Sequence, residues 1–512
     1  MRNRSTPLLA ALVCAGTSLG AQNEATAPLS VIDWLDTQGA IDAAVPKPDE
    51  PDVAASGTVP QVTVQPLRTD AAQRVGLAPS NVTGLPDTLW QSTDAASLSR
   101  AVNALPDAPL PALQDLILTL LLAEANPPQG EAQRFDLARV DALTTFGALD
   151  PAIALLEQTP LDKRAAKLAR YMDLSLMSGD VSTACTLILA NPKLSPGEAY
   201  DVFCNARAGN WEDAVLVLGT ARVLGLISED RAAALERFLD PELFEGDPPL
   251  TVPSTPDPLT FRLFEAIGTP IPTRVWPLVY ANADLSPNAG WKAQLEAAER
   301  LAQRGALGDN RLLGLYTQRQ PAASGGVWDR AAAVQRFETA LSTGSEAAVL
   351  KTLPAAWRAM GQIGLQTVFA KLFAEDVGKL VLSGPAADLA FEVLLLSPAY
   401  EMAARQFPSR ALQRPVAVAV ATGDVPADLT ADGVRGAILA AFRDAPPDAG
   451  IVEAAQAGDL GLALLNAIAL THGGTGGDVA RLTTGLATLR ALGLEDVARR
   501  TALQVLLLGN AG

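Results

Sequence analysis

Residues 179–214 read GDVSTACTLILANPKLSPGEAYDVFCNARAGNWEDA and contain the pattern that decides the fold. In this stretch each of two glycines, Gly179 and Gly209, is followed five residues later by an alanine. Glycine readily adopts the left-handed conformation that ends a helix, and an Asp or Asn directly after it suits the start of the next one. Alanine allows two helices to approach closely. The stretch therefore predicts helices that stop at each glycine and restart just beyond it.

The same spacing recurs in other parts of the chain. Three more units have it, at residues 147–152, 458–463 and 493–498. The glycines are 32 residues apart between 147 and 179, 30 apart between 179 and 209, and 35 apart between 458 and 493. A near-constant period of this length is typical of helical repeat proteins, in which each helix pair buries its apolar face against the next.

The glycine, the polar residue near it and the alanine at the fifth position resemble the turn and second-helix start of tetratricopeptide-like repeats. The resemblance covers about five units and implies an architecture of helix pairs. The first helices lack the Trp and Tyr pattern of that family, and Pro192 follows Gly179 sooner than the family's proline would. What we carry over is therefore the helix-pair architecture and not a peptide-binding groove.

Composition supports a helical body. Hydrophobic residues make up 49% of the chain but aromatic residues only 5%, and alanine and leucine supply most of the apolar total. Both are strong helix formers. No stretch shows the sustained alternation that strands require. We expect an all-α fold of helical-hairpin repeats, α-solenoid-like, with a disordered N-terminal tail.

The N-terminus is typical of a secretory leader. Arg2 and Arg4 precede a short apolar run, Leu8–Ala15, and small residues follow up to Ala21. Such a pattern predicts a signal peptide, residues 1–21, and the run is too short to span a bilayer. Cleavage after residue 20 or after residue 21 fits equally well. The expected location is periplasmic or secreted.

The rest of the chain divides by composition. The expected parts are a disordered or extended tail at 22–87, an N-terminal helical repeat region at 88–239, a Pro-rich acidic linker at 240–258 and a C-terminal helical repeat region at 259–512. One apolar island interrupts the tail around Ile32, Trp34 and Leu35. It either docks on a partner protein or folds back onto the protein's own body.

Two cysteines remain after the leader, Cys185 and Cys204. They are equidistant from the middle of a turn-like stretch, residues 191–197. If the flanking segments are antiparallel helices, residues equidistant from the turn lie side by side, which is the geometry a disulfide needs. An oxidising compartment permits the bond. We predict a Cys185–Cys204 disulfide; the alternative is two buried free thiols.

Charge and histidine content exclude several classes of function. The chain has 39 Lys and Arg against 56 Asp and Glu, a net charge of −17, which argues against binding to nucleic acid through a uniformly basic face. Its single histidine, His472, leaves too few imidazoles for a Ser-His-Asp or Cys-His system or a paired-His zinc site. We expect no catalytic, cofactor-binding or metal-binding residue, no cofactor and no integral membrane segment in the mature chain.

Two glycine-rich stretches have the composition of binding loops. Residues 470–477 contain His472, but they lack the lysine and spacing of a phosphate loop and follow no strand, so they are interpreted as a helix end. Residues 322–329 are interpreted as a helix start, with Asp329 as cap and Trp328 packed beside it.

Stacked helix pairs build extended surfaces that suit protein binding. The sequence therefore favours an exported, non-enzymatic scaffold or adaptor that mediates protein-protein interactions in the bacterial cell envelope. Partner and oligomeric state are left open. The alternative is an envelope enzyme on an α/α fold that acts on a carbohydrate or peptidoglycan-like polymer with a pair of carboxylates.

Overall fold

The structure is a computed structural model that describes residues 73–407 and 414–509. In this part of the chain the backbone forms α-helices and short 3-10 helices, and strand-like pairing is limited to three isolated bridges. The expected all-α fold is confirmed. The predicted signal peptide and residues 22–72 of the predicted tail lie outside the described residues.

The helices of the first half are α1 Ser80–Thr83, α2 Ala95–Asn103, α3 Pro111–Leu122, α4 Ala132–Thr145, α5 Leu149–Glu157, α6 Ala165–Ser178, α7 Ser182–Ala190, α8 Glu198–Arg207, α9 Trp211–Val223, α10 Glu229–Leu239 and α11 Pro258–Ala266. Those of the second half are α12 Trp291–Ala302, α13 Asp309–Thr317, α14 Val327–Ser342, α15 Glu346–Gly361, α16 Gln366–Gly378, α17 Gly384–Leu395, α18 Tyr400–Gln406, α19 Pro415–Thr422, α20 Gly433–Ala441, α21 Ala449–Gln456, α22 Leu460–Thr475, α23 Val479–Ala491 and α24 Glu495–Leu508. Short 3-10 helices occur at Pro192–Leu194, Glu242–Phe244, Thr273–Val275 and Leu278–Leu285.

Helices that follow one another in the chain pack together. For example, α4 packs on α5, α7 on α8, α8 on α9, and α14 on α15. Their connections are short, so neighbouring helices form hairpins. The helices on either side of residues 240–258, α10 and α11, also contact each other.

The repeated glycines and alanines have the roles predicted for them. All five glycines have positive φ, between 79° and 102°, at Gly147, Gly179, Gly209, Gly458 and Gly493. The alanine five residues after each of them is 0% exposed. Each unit thus ends one helix in the left-handed conformation and places a small side chain where the next helix packs.

The first and last helices of the array meet. Helix α22 packs against α2 and α3, and α24 packs against α3. Thr93 donates a hydrogen bond to Asp459 at 2.8 Å, and the Gly461 amide donates to the Leu89 carbonyl at 3.1 Å. In an open solenoid each repeat contacts only its neighbours. The described array therefore closes on itself, a feature that the repeat spacing does not predict.

An acidic residue in α3 joins three parts of the chain near this closure. The Asp115 carboxylate accepts hydrogen bonds from Lys371 in α16 at 3.0 Å and from Arg500 in α24 at 3.2 Å. The three side chains are partly exposed, so solvent screens the pairs and their contribution to stability is modest. They help fix which helices face each other.

We expect Gly461→Ala to destabilise the protein by about 2 kcal/mol. A Cβ at this position would lie 2.3 Å from Cε3 of Trp90 and 2.7 Å from the Leu89 carbonyl oxygen. The cost of this overlap exceeds the gain of about 1 kcal/mol that alanine normally brings to a helix. The measurement is the free energy of unfolding in urea, followed by circular dichroism.

The control is Gly314→Ala in α13, where a Cβ would meet no atom within 4 Å. This variant should be more stable than the wild type by about 0.5–1 kcal/mol, because only helix propensity changes. If both variants were equally stabilised, the close contact between Gly461 and Trp90 would not exist in solution.

A buried arginine fastens the first described residues to the body. The Arg139 guanidinium in α4 is 1% exposed and donates to the carbonyls of Val75, Leu121 and Ala123 at 2.8–3.0 Å. Leu121 and Ala123 lie at the end of α3, where carbonyls lack partners within the helix. Residues 73–79, which the composition assigns to the tail, thus pack on α3 and α4.

Candidate interaction site

Helix α9 has an apolar surface on its outer side. It packs against α8 and α10 through Ala214, Leu218 and Ala221. Large hydrophobic side chains on its other side are exposed to solvent, up to 87% for Val223. We call this surface the α9 face; it consists of Trp211, Val215, Leu216, Val223 and, just after the helix, Leu224 and Leu226.

The positions of these residues make the α9 face continuous. With about 3.6 residues per turn, Val215 and Val223 lie on the same side of the helix, roughly two turns apart. Gly219 lies between them, and a Cβ there would meet no atom within 4 Å. Because Gly219 has no side chain, another backbone can approach closely in the middle of the α9 face. Contiguous exposed apolar surface of this kind marks an interaction site.

Helix α8, which packs directly against α9, is bonded to α7. Cys185 in α7 and Cys204 in α8 are paired, with their sulfur atoms 2.06 Å apart and their Cα atoms 5.0 Å apart. The predicted pairing is confirmed, and the 3-10 helix Pro192–Leu194 lies in the turn between the two helices. Phe203 in α8 stacks on Phe238 in α10, with ring centroids 5.5 Å apart. Helix α8 is therefore fixed to α7 by the disulfide and to α10 by the ring contact, and α9 packs on α8.

Ion pairs flank the α9 face. Arg222 bonds to Glu229 and to Glu236 in α10, at 2.6 Å each. All three side chains are at least a third exposed, so solvent screens the pairs and they add little stability. They hold the Arg222 side chain toward α10 and away from the α9 face.

A partly buried acidic cluster lies between α6, α8 and α11. Burial raises the pKa of Asp173 to about 6, even though the Tyr200 hydroxyl donates a hydrogen bond to it at 2.9 Å. Nearby, Asp257 pairs with Arg231 and accepts from the Thr260 amide at 2.8 Å, which caps α11. Both carboxylates are thus held by partners within the fold. Their arrangement is that of a structural network.

The two glycine-rich stretches of the sequence form helix ends. Residues 470–475 continue α22, and a Cβ on Gly474 would lie 2.3 Å from the backbone of Leu482, so this glycine permits close packing with α23. Burial and Arg481 lower the pKa of His472. At the second stretch α14 begins at Val327 as predicted, but its N-cap is Gly326 and not Asp329. Asp329 lies in the first turn, where its carboxylate accepts a hydrogen bond from the Gly325 amide at 3.0 Å.

The predicted docking residues Ile32, Trp34 and Leu35 lie outside the described residues, so their role stays a prediction. Among residues 73–407 and 414–509, no group of three or more His, Cys, Asp or Glu side chains is placed to hold a metal ion. No helix within the same ranges has the length and hydropathy needed to cross a membrane.

The sequence pattern did not identify the α9 face, although one signal is visible in it. The stretch 214–226, AVLVLGTARVLGL, has apolar residues on every side of a helix. A helix of that kind is either fully surrounded or presents apolar surface to a partner. The sequence alone does not distinguish the two, because the choice depends on how many neighbours cover the helix.

The chain matches no protein-family model, and comparison with curated proteins and with solved structures finds no significant similarity.

Proposed function

We propose that this protein is an exported, non-enzymatic scaffold or adaptor that binds another protein in the bacterial cell envelope through the α9 face. The observation that carries the proposal is the run of exposed large hydrophobic side chains on one helix. Exposing them to water is unfavourable, at about 25 cal/mol per Å² of apolar surface. A bound partner would remove that surface from water.

The partner element that suits the α9 face is an amphipathic helix. Helix α9 packs on α8 and α10 through Ala214, Leu218 and Ala221, and its opposite, apolar side is exposed. A partner helix could lie along the α9 face and approach it most closely at Gly219. It would then pack on α9 as the helices of the array pack on one another. The likeness to tetratricopeptide-like repeats, which build surfaces from helix pairs, is part of this proposal.

The proposed location rests on two features of the chain. The leader-like residues 1–21 direct export, and the Cys185–Cys204 disulfide is of a kind that persists in oxidising compartments. Together they favour the periplasm or the medium over the cytosol.

The proposal predicts that Val215→Asp with Val223→Asp abolishes partner binding. Removing two carboxylates of the α9 face from water costs free energy, so recovery of the partner should fall at least tenfold. The measurement is quantitative mass spectrometry of proteins cross-linked in intact cells and captured with the tagged protein. The folded state is checked by circular dichroism.

The matched control is Val82→Asp with Val275→Asp, two exposed valines in α1 and in a 3-10 helix. It should retain the partner at wild-type level. Equal recovery with both double variants would contradict the proposed site. A wild type that is dimeric by light scattering, with a monomeric Val215→Asp, Val223→Asp variant, would instead assign the α9 face to a second copy.

One observation bears on the alternative, an enzyme that cleaves a carbohydrate or peptidoglycan-like polymer. Asp173, with a pKa near 6 beside Asp257, titrates in the range of a general acid. Incubation of the purified protein with peptidoglycan tests it. Cleavage by the wild type that is lost in Asp173→Asn would replace the scaffold proposal.

A further inference from the structure

Two acidic side chains border the α9 face where the helix begins. Glu212 and Asp213 lie in the first turn of α9, and both are exposed. Glu212 precedes Leu216 by four residues and Asp213 precedes it by three, so both carboxylates are neighbours of that leucine on the helix surface. Neither carboxylate forms an ion pair or a hydrogen bond within residues 73–407 and 414–509. Both are therefore available to a bound partner.

The other end of the α9 face is also acidic, although it holds an arginine. Arg222 bonds to Glu229 and Glu236, so one positive charge there meets two negative ones. Asp230, which follows Glu229, is exposed and forms no ion pair in the part of the chain that the structure describes. Glu212 and Arg222 are ten residues apart, about 15 Å along the helix axis. Negative charge thus lies at both ends of an apolar centre.

No cation of α9 or α10 is left to offset this charge. The arginine of α9 is paired as just described. In α10, Arg231 pairs with Asp257, and Arg237 lies within 3.9 Å of the Asp247 carboxylate. Arg207, at the end of α8, lines a cavity with residues of α6, α10 and α11 and with none of α9. The charge that a partner meets at the α9 face is therefore negative.

The helix dipole accounts for only part of this pattern. Acidic side chains in the first turn of a helix and basic ones in its last turn are both favourable. Glu212 and Asp213 fit the first half of this rule. At the end of α9, Arg222 fits the second half, but Glu229 and Glu236 outweigh its charge. The excess negative charge at that end is unfavourable for the dipole, and a basic partner would neutralise it.

We propose that the α9 face binds an amphipathic helix that carries a basic residue near each end of its apolar side, an inference that rests on the function proposed above. The apolar side of the partner helix covers the α9 face. One Lys or Arg pairs with Glu212 or Asp213, and another, about ten residues away, pairs with Glu229 or Glu236. Opposite charges at the border of an interface speed association, and like charges reject helices with acidic borders.

The expected size of the effect follows from the exposure of these groups. An exposed ion pair changes affinity by about 1.4-fold to 5-fold, and a like-charge pair opposes binding by a similar factor. Two favourable pairs in place of two repulsive ones should therefore change affinity by about tenfold at low salt.

The experiment titrates two fluorescent synthetic peptides of about 18 residues, five helical turns, with the full chain and follows anisotropy. The peptides share the same leucine and alanine positions and differ only in carrying lysine or glutamate at the two borders. The lysine peptide should bind about tenfold more tightly at about 50 mM salt, and the difference should shrink at about 500 mM. Equal affinities would overturn the basic partner but leave apolar binding by the α9 face standing.

A pair of charge variants tests the border at the start of α9. Glu212→Gln with Asp213→Asn should weaken binding of the lysine peptide about threefold and strengthen binding of the glutamate peptide. Partial unfolding of α9 would weaken both. The control, Asp424→Asn with Asp428→Asn, removes two exposed charges between α19 and α20 and should change neither affinity. Equal effects of the two pairs would show a response to net charge and would overturn the proposal.

Val215→Asp with Val223→Asp distinguishes binding at the α9 face from general attraction to an acidic protein. The lysine peptide should bind this variant at least tenfold more weakly although two negative charges are added, because the apolar contact is lost. Undiminished binding would mean that charge alone holds the peptide and would overturn the proposal. Failure of both peptides to bind the wild type would also overturn it, whereas the function proposed above fails only if capture from cells recovers the partner equally with both valine double variants.

Discussion

Replacing Arg139 by Met is expected to destabilise the protein by about 3–5 kcal/mol. The substitution keeps much of the side chain's volume but removes the donors that serve the carbonyls of Val75, Leu121 and Ala123. Buried acceptors without a donor cost about 1–3 kcal/mol each when no water reaches them. Residues at the end of α3 and at the start of the described chain lose their shared partner together.

The charge of Arg139 adds to this cost. Burial lowers the pKa of Arg139 to about 10, which still leaves the guanidinium protonated at neutral pH. Its carboxylate neighbour, Asp136, lies 3.5 Å away, and burial raises the pKa of that carboxyl. Arg139→Met removes the cation closest to Asp136, so the partly buried Asp136 carboxylate is left without its ion-pair partner.

The measurement is unfolding in urea, combined with amide hydrogen exchange. In Arg139→Met, exchange should accelerate at Leu77, Ala78 and Glu124, whose amides bond across residues 77–78 and the end of α3. Arg336→Met, an exposed arginine on α14, is the control and should change stability by no more than about 0.5 kcal/mol. Unchanged exchange at the three amides would contradict the role of Arg139 as an anchor.

Local signals in the sequence predict the helices well. Helices α8 and α10, Glu198–Arg207 and Glu229–Leu239, each lie between glycine or proline residues of the sequence. Glycine and proline on either side mark their ends, and such punctuation acts within a few residues. The pairing of Cys185 with Cys204 was predictable for the same reason, because one short turn brings the two cysteines together.

The closure of the array and the α9 face were not predictable in this way. Thr93 and Asp459 are 366 residues apart in the chain, and no periodicity links them. The exposure of α9 depends on how many neighbouring helices cover it, which only tertiary packing decides.

Removing the disulfide is the second change with a large expected effect. Cys185→Ala with Cys204→Ala should lower the free energy of unfolding by about 3 kcal/mol, since the bond closes a loop with a sequence separation of 19 residues. The chain-entropy argument assigns this loss to the unfolded state, which gains conformations once the loop is open. Urea unfolding with and without reductant measures it.

The reductant supplies the internal control. It should destabilise the wild type by a similar amount and leave the double alanine variant unchanged. Titration of the denatured, unreduced protein should find neither Cys185 nor Cys204 reactive. Two reactive thiols there, with a wild type insensitive to reductant, would contradict the bond in solution.

The same experiment bears on location and on the α9 face. A pair that is oxidised when the protein is isolated from cells is what an oxidising compartment produces, and a reduced pair would contradict the export proposal. Because α8 is tied to α7 by the bond and carries α9, reduction should also accelerate amide exchange in α9. Partner binding through Val215 and Val223 should then weaken along with stability. If α9 kept its exchange rates and its partner after reduction, helix packing alone, without the disulfide, would hold the α9 face in place.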